Sequence, residues 1–151
     1  MSLFDGYSRD QLRLAYAQAW SKHLARAPLA PLEAQIADVI EAHPEYQRIV
    51  ADADTAVGFE PDSGQAAENP FLHLGLHLAV RDQLSVDRPP GIRDLKRQLQ
   101  AQDGDAHRAE HTLMEALAEE LWTAQRDGRV PDEGQYLALA RKFLIAKRSA
   151  V

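Results

Sequence analysis

Apolar residues recur along this chain at intervals of three and four positions, which is the spacing of one face of an α-helix. The first such stripe runs from Leu12 to His23. Ser8, followed three residues later by Gln11, has the form of a capping box and predicts where this helix begins. Pro31 predicts the first residue of a second helix, because its fixed φ suits that position. This helix is expected to end near His43-Pro44, since a proline disfavours helical geometry in the residue before it.

Asparagine, proline and glycine mark the boundaries of the later helices. Asn69-Pro70 combines a good N-cap with proline at the first helical position, and Gly104 and Gly128 are typical of helix ends. The later helices are expected over residues 70–86, 91–101, 105–126 and from 131 onwards. Strand patterns are hardly present, so the sequence predicts an all-α fold.

The segment between residues 52 and 68 carries turn-forming residues and no sustained helical period. It is expected to be one long loop, which covers a functional site or is simply mobile. A short turn of helix over residues 46–50 precedes it. The whole chain, residues 1–151, is therefore expected to form a single helical domain, a bundle of five or six helices.

Composition narrows the classes of function. With no cysteine the chain can form neither a disulfide nor a thiolate–metal site, which agrees with a reducing compartment, and we expect a cytoplasmic protein. No basic region followed by an apolar run opens the sequence, so no signal peptide is expected. No apolar stretch approaches the ~18 residues of a membrane span. The net charge of −6 argues against nucleic acid or anionic lipid as a partner.

Two pairs of histidines at helical spacing are the main candidates for chemistry: His73 with His77, and His107 with His111. Residues four apart on an α-helix lie on one face, so each pair can present two imidazoles to one metal ion or to a neighbouring helix. Both pairs lie in the first two turns of their predicted helices. If the helix over 91–101 reverses the chain, both pairs lie at the same end of the bundle and converge on one or two metal ions.

Glu110, between His107 and His111, lies near the middle of the apolar sector of its helix. A carboxylate buried there without a partner would cost several kcal/mol. A metal ion, a cationic partner or a hydrogen-bonded histidine would remove that cost. The predicted metal site is therefore His73, His77, His107 and His111, with Glu110 as a fifth ligand or as a residue that orients an imidazole. Imidazole with carboxylate suits zinc, iron, manganese or nickel, and no catalytic residue is indicated.

Other readings of the histidines remain open. The second interpretation is a noncatalytic protein-interaction module, in which the histidines form a buried polar network and an apolar patch is exposed on the surface. Haem held by two histidines is less favoured, and c-type attachment is excluded because cysteine is absent. The segment His107–His111 matches the HxxEH form of inverted zinc proteases, which are far larger enzymes. A di-iron bundle is not indicated, because Glu-x-x-His is absent. Substrate, reaction, oligomeric state and partner are not indicated.

The remaining histidines and large aromatic residues are expected to be structural. His23 lies on the first apolar stripe and is predicted to be a core histidine, and His43 is predicted to be a helix-end residue. Trp20, Trp122 and Tyr136 are predicted to be core aromatics.

Two segments carry a resemblance to a known family. They are Asn69-Pro-Phe-Leu-His-Leu-Gly-Leu-His77 and Gly104-Asp-Ala-His-Arg-Ala-Glu-His111, with a weaker piece at Glu41-Ala-His-Pro-Glu-Tyr46. Together they resemble a bacterial family known only as domain-of-unknown-function family 1841, over roughly residues 8–145. The resemblance implies a small bacterial protein and brings no activity or ligand with it.

Overall fold

The computed structural model describes residues 8–60 and 69–149, and within these ranges the structure is helical without a strand. The helices are α1 (Arg9–Leu24), α2 (Pro31–Glu41), α3 (Pro44–Gln47), α4 (Ala53–Gly58), α5 (Pro70–Val86), α6 (Ile92–Asp103), α7 (Ala106–Arg126) and α8 (Glu133–Ser149). The all-α class is confirmed. The expected number of five or six helices is wrong, because the described residues contain eight.

The difference lies in two short helices that carry no helical periodicity of their own. Helix α3 covers Pro44–Gln47 rather than residues 46–50. Helix α4 lies inside the predicted 52–68 loop, which is therefore not a loop over its first part. The Asp52 carboxylate starts α4 by accepting a hydrogen bond from the backbone N–H of Thr55 at 2.8 Å, and this bond lowers the pKa of Asp52. Residues 61–68 of the predicted loop lie outside the described residues.

The longer helices begin and end at the residues that predicted their boundaries. Ser8 and Gln11 form both bonds of the capping box. The Asn69 side chain accepts a hydrogen bond from the N–H of Phe71 at 3.0 Å, ahead of α5. Gly104 takes a left-handed conformation with a φ of 71° immediately after α6, where a residue without a Cβ is favoured. Asp105 then caps α7.

The chain divides into two compact units, Met1–Leu78 and Ala79–Val151, and α5 contributes residues to both. In the first unit α1 packs on α2 and α4, and α2 contacts α3. The core of this unit is formed by large apolar side chains, among them Tyr16, Trp20, Ile40, Val50, Leu74 and Leu78. The single domain expected over residues 1–151 stays a prediction.

A buried arginine fastens α4 to α1 within the first unit. Arg13 is 4% exposed, and its guanidinium donates to the carbonyl oxygens of Ala56, Val57 and Phe59 at the C-terminal end of α4. The guanidinium also lies over the ring of Phe71, 4.4 Å from its centroid. Burial lowers the pKa of Arg13, but a guanidinium remains charged at physiological pH. The positive charge of Arg13 is therefore stabilised by carbonyl oxygens at the C-terminal end of α4, where the helix itself provides no hydrogen-bond donors for them.

In the second unit α7 packs on α6 and α8, and α6 packs on α8. Glu120 of α7 is buried and accepts two hydrogen bonds from the Arg129 guanidinium, at 2.6 and 3.1 Å. It accepts a third from the backbone N–H of Asp132 at 2.7 Å. These bonds, led by those from Arg129, lower the pKa of Glu120 to about 2. One carboxylate thus ties α7 to the segment that leads into α8.

Two of the three predicted core aromatics are buried and the third is not. Trp20 and Tyr136 are buried, as predicted. Trp122 is 62% exposed, so its core assignment is wrong, and the Arg126 guanidinium lies 4.9 Å from its ring centroid. The core assignment of His23 is also wrong. It is half-buried, stacks on Trp20 and lies 3.8 Å from a carboxylate oxygen of Glu41.

None of the helices formed by the described residues is both long enough and apolar enough to cross a bilayer.

Candidate metal centre

Three histidine side chains of the first unit meet through the same ring atom. The Nε2 atoms of His43 and His73 are 3.1 Å apart, those of His43 and His77 are 3.2 Å apart, and those of His73 and His77 are 3.1 Å apart. The three nitrogens therefore form a nearly equilateral triangle. We call His43, His73 and His77 the histidine triad.

Two members of the triad come from α5 and the third from the end of α2. His73 and His77 are one helical turn apart, so their rings lie on the same face of α5, as the spacing predicted. His43 follows the last turn of α2, where its backbone N–H donates to the carbonyl of Ile40 at 3.0 Å. Pro44 begins α3 directly after it. The proline keeps His43 out of helical geometry, with a φ of −127° and a ψ of 74°.

The tautomer of His43 is set by a backbone carbonyl. Its Nδ1 lies 2.7 Å from the carbonyl oxygen of Val39. Because a carbonyl oxygen can only accept, Nδ1 must carry a proton and donate it. In the neutral ring Nε2 is then left with a lone pair directed at the other two histidines. Metal-ligating histidines are commonly oriented in this way, by a hydrogen bond from the other ring nitrogen.

The triad contains fewer protons than its contacts require. Three hydrogen bonds around the triangle would need three N–H groups, one on each Nε2. His43 has none there, and neutral His73 and His77 have at most one each. At least one of the three close contacts is therefore not a hydrogen bond. A cation at the centre would convert repulsive contacts between lone pairs into three bonds.

Burial and ring packing hold the triad in place. His77 is fully buried, His43 is 4% exposed and His73 is half-buried. The Tyr46 ring stacks on His43 with an interplanar angle of 9° and meets His73 edge-on, with centroids 5.7 Å apart. The imidazoles therefore have little freedom to rotate out of the arrangement.

The second predicted pair lies in the first turns of α7, within the second unit. His107 and His111 are half-buried, and their ring centroids are 4.2 Å apart with the planes inclined at 57°. The backbone N–H of His107 donates to the N-cap residue Asp105 at 2.9 Å. The pair is adjacent, as the helical spacing predicted. That it binds the same ion as His73 and His77 stays a prediction.

Glu110 has a cationic partner, one of the three solutions that the sequence left open. Its carboxylate is buried, and its Oε1 accepts a hydrogen bond from Nε of Arg81 at 2.8 Å. Arg81 comes from the last part of α5, which belongs to the same unit as α7. The charge of Glu110 is therefore balanced by a guanidinium. Its role as a metal ligand stays a prediction.

His43 is the member of the triad that sequence reasoning missed. Its position at the end of α2 was predicted, and the bond to Val39 confirms a helix-end role. Its partners lie 30 and 34 residues further along the chain, so no local pattern connects them. The signal that could have found it is the segment Glu41–Tyr46, which shares the family resemblance of the two histidine pairs.

Comparison with protein families supports that resemblance. A family model described as "Domain of unknown function (DUF1841)" matches residues 8–142. The chain belongs to the DUF1841 family. The match includes the triad and the pair on α7, and the family's description assigns no activity. No curated protein and no solved structure was found to match the chain.

Proposed function

We propose that this DUF1841 protein binds a transition-metal ion through the Nε2 atoms of His43, His73 and His77. The observation that carries the proposal is the triangle of three ring nitrogens 3.1–3.2 Å apart. Because Nδ1 of His43 donates its proton to the Val39 carbonyl, the Nε2 atom of the neutral ring has a lone pair available for a metal ion. Metal–imidazole bonds of about 2.0–2.1 Å reach all three nitrogens from one point.

The chemistry of the three ligands limits which ions fit. Neutral imidazole is a ligand of intermediate softness that zinc, iron, manganese and nickel all accept. Hard ions such as calcium prefer oxygen ligands and are disfavoured here. Haem stays the less favoured cofactor, because it is held by imidazoles on opposite faces of the ring, whereas the triad nitrogens converge on one point.

The ligand set predicted from the sequence shares His73 and His77 with the triad and lacks His43. It contains His107 and His111 instead, with Glu110 as a ligand or as a residue that orients one. The wider set is the triad together with these three residues. We keep this wider set as a separate proposal, supported by the helical adjacency of the two imidazoles. Location in the cytoplasm is likewise proposed from the absence of cysteine.

The test is the metal content of tag-free protein, measured by mass spectrometry after incubation with each of the four ions and desalting. We expect near-stoichiometric metal in the parent and loss of it in His43→Asn. This variant removes Nε2 but retains an amide N–H that can donate to the Val39 carbonyl. The matched control is His23→Asn, a half-buried histidine outside the triad, which should retain the metal.

Circular dichroism of each variant shows whether the fold is intact. A parent that stays free of all four ions, or a folded His43→Asn variant with undiminished metal, contradicts the proposal. The double variant His107→Ala/His111→Ala tests the wider ligand set in the same assay. Metal loss in that variant supports the additional ligands, and full retention contradicts them.

A protein-interaction role is the second candidate, because α7 exposes two neighbouring large apolar residues. Leu121 is 40% exposed and Trp122 is 62% exposed. Exposed apolar surface of this kind is typical of interaction sites when it forms a contiguous patch. The two candidates are separated by the metal assay together with light scattering of parent and Trp122→Gln protein. Self-association that Trp122→Gln abolishes, in a parent without metal, would favour the interaction role.

A further inference from the structure

The last turns of α7 carry a short stripe of exposed residues. Glu119, Trp122 and Arg126 are spaced three and four positions apart, so their side chains lie on the same face of the helix. All three are exposed, and Trp122 is 62% exposed. Leu121, which is 40% exposed, lies beside them. A large aromatic ring and a leucine are thus presented to solvent between an acidic and a basic residue.

Both charges of the stripe can take a further partner. Within the part of the chain that the structure describes, the Glu119 carboxylate forms no hydrogen bond or ion pair. The Arg126 guanidinium lies 4.9 Å from the Trp122 ring centroid, and its Nε donates to Oδ1 of Asp127 at 3.1 Å. The side chains of this ion pair are 57% and 45% exposed, so the pair contributes little to stability. The two Nη atoms of Arg126 keep their N–H donors for another carboxylate.

The order of these residues makes the stripe complementary to itself. Along the helix axis, Glu119 precedes Trp122 by about 4.5 Å and Arg126 follows it by about 6 Å. If two such helices lie antiparallel with their Trp122 residues at the centre, Glu119 of each copy is level with Arg126 of the other to within about 1.5 Å. Both residues are displaced around the helix in the same direction from Trp122, so they also meet on the same side. A parallel arrangement would instead bring like charges together.

We propose that the stripe of Glu119, Trp122 and Arg126 is the interface of a homodimer in which two copies of α7 pack antiparallel. Trp122 and Leu121 of both copies form its apolar centre, and a twofold axis gives two Glu119–Arg126 ion pairs. The inference gives the interaction role of α7 a definite partner and does not depend on the metal centre. These few turns of helix cover less than the about 800 Å² per partner of a standard interface, so the dimer is weak.

The first experiment is sedimentation velocity of the full chain from about 10 μM to about 1 mM, the range in which a weak dimer forms. EDTA in the buffer excludes association through a bridging metal ion. We expect the average sedimentation coefficient to rise from that of a monomer towards that of a dimer. Trp122→Gln should raise the dissociation constant by about tenfold or more. A parent that stays monomeric, or a Trp122→Gln variant that dimerises as the parent does, overturns the proposal.

Reversal of the charges tests the pairing itself. Glu119→Arg and Arg126→Glu each turn two attractive contacts into repulsive ones, so each variant alone should dimerise about tenfold more weakly or worse. An equimolar mixture of the two variants should associate as the parent does, because every contact between unlike copies is attractive again. A mixture that associates no better than its components overturns the antiparallel pairing.

The matched control is Asp38→Arg, which reverses an exposed carboxylate of α2 and changes the net charge by the same amount as Glu119→Arg. This variant should dimerise as the parent does. An equal loss in both variants would show that net charge governs association, which overturns the proposal. All the substituted side chains are exposed, so the fold should be retained, and circular dichroism of each variant checks this.

Discussion

The Nε atom of Arg81 lies 2.8 Å from the Oε1 atom of Glu110, and this ion pair joins α5 to α7 within the second unit. Glu110 is 7% exposed, whereas Arg81 retains partial access to water. The pair explains how a carboxylate can lie in the apolar sector of α7. Removing one partner alone would leave the other without its counter-ion, whether or not a metal is present.

Removal of Arg81 should therefore destabilise the protein more than removal of both partners. We expect Arg81→Met to lower the free energy of unfolding by about 1–3 kcal/mol, because it leaves the Glu110 carboxylate buried without a cation. The double variant Arg81→Met/Glu110→Met should recover part of that loss. Urea denaturation of the parent, both single variants and the double variant measures the difference. A double variant that loses the sum of the single effects would contradict the interpretation.

The Glu120–Arg129 pair predicts a dependence of stability on acid. Because the pKa of Glu120 is about 2 in the folded protein and 4.5 as its ordinary value, the folded state favours the ionised form. This stabilisation is fully present above pH about 4.5 and is lost as the pH falls through about 2. The free energy of unfolding of Glu120→Gln should decline less steeply with acid over that interval.

The matched control for this acid series is Glu119→Gln, which removes an exposed carboxylate from the adjacent position of α7. Its unfolding free energy should follow the same pH dependence as the parent. Urea denaturation at pH 7, at about 4.5 and at about 3 is sufficient to compare the three proteins. Parallel curves for Glu120→Gln and the parent would show that the pair is not responsible.

The two tryptophans should respond very differently to truncation. Trp20 is buried in the core of the first unit, and we expect Trp20→Ala to cost about 3–5 kcal/mol. Trp122 is exposed on α7, and we expect Trp122→Ala to change stability by no more than about 0.5 kcal/mol. Thermal denaturation of the two variants measures both effects. A large loss of stability for Trp122→Ala would indicate that its ring is covered.

Gly75 is a position where the protein should tolerate and even gain from a larger residue. It lies inside α5, and a Cβ there would meet only the Tyr16 hydroxyl at 3.7 Å, an ordinary contact. Gly75→Ala should raise the unfolding free energy by about 1 kcal/mol without loss of metal, because glycine is a poor helix former. Gly91→Ala is the contrasting variant, since its φ of +95° strains any residue with a side chain, and it should lose about 1–2 kcal/mol.

Helix boundaries were predictable because their causes are local. Ser8 and Gln11 exchange hydrogen bonds three residues apart, and Asn69 caps a backbone N–H two residues away. Such contacts form wherever the segment becomes helical, so the sequence alone indicates them. The short helix α4 was not predicted and α3 was predicted two residues too late, because one or two turns contain too few residues to show a period.

The two histidine pairs of the candidate site were predictable for the same reason, because their spacing along a helix is a local property. His73 and His77 share a face of α5 by helical geometry alone, and so do His107 and His111 on α7. By contrast, the contact between His43 and His73 joins residues 30 positions apart, and the pair of Arg81 with Glu110 joins residues 29 positions apart. Contacts across such distances depend on how whole helices pack, which no local pattern encodes.

The sequence by itself thus determined the helical class, most helix boundaries and the adjacency of two histidine pairs, since each follows from interactions within about one helical turn. The tertiary structure alone decided that His43 completes the triad, that Arg81 neutralises Glu110 and that Trp122 faces solvent. These outcomes depend on which helix faces meet, because burial and long-range pairing are properties of the packed chain and not of any single segment.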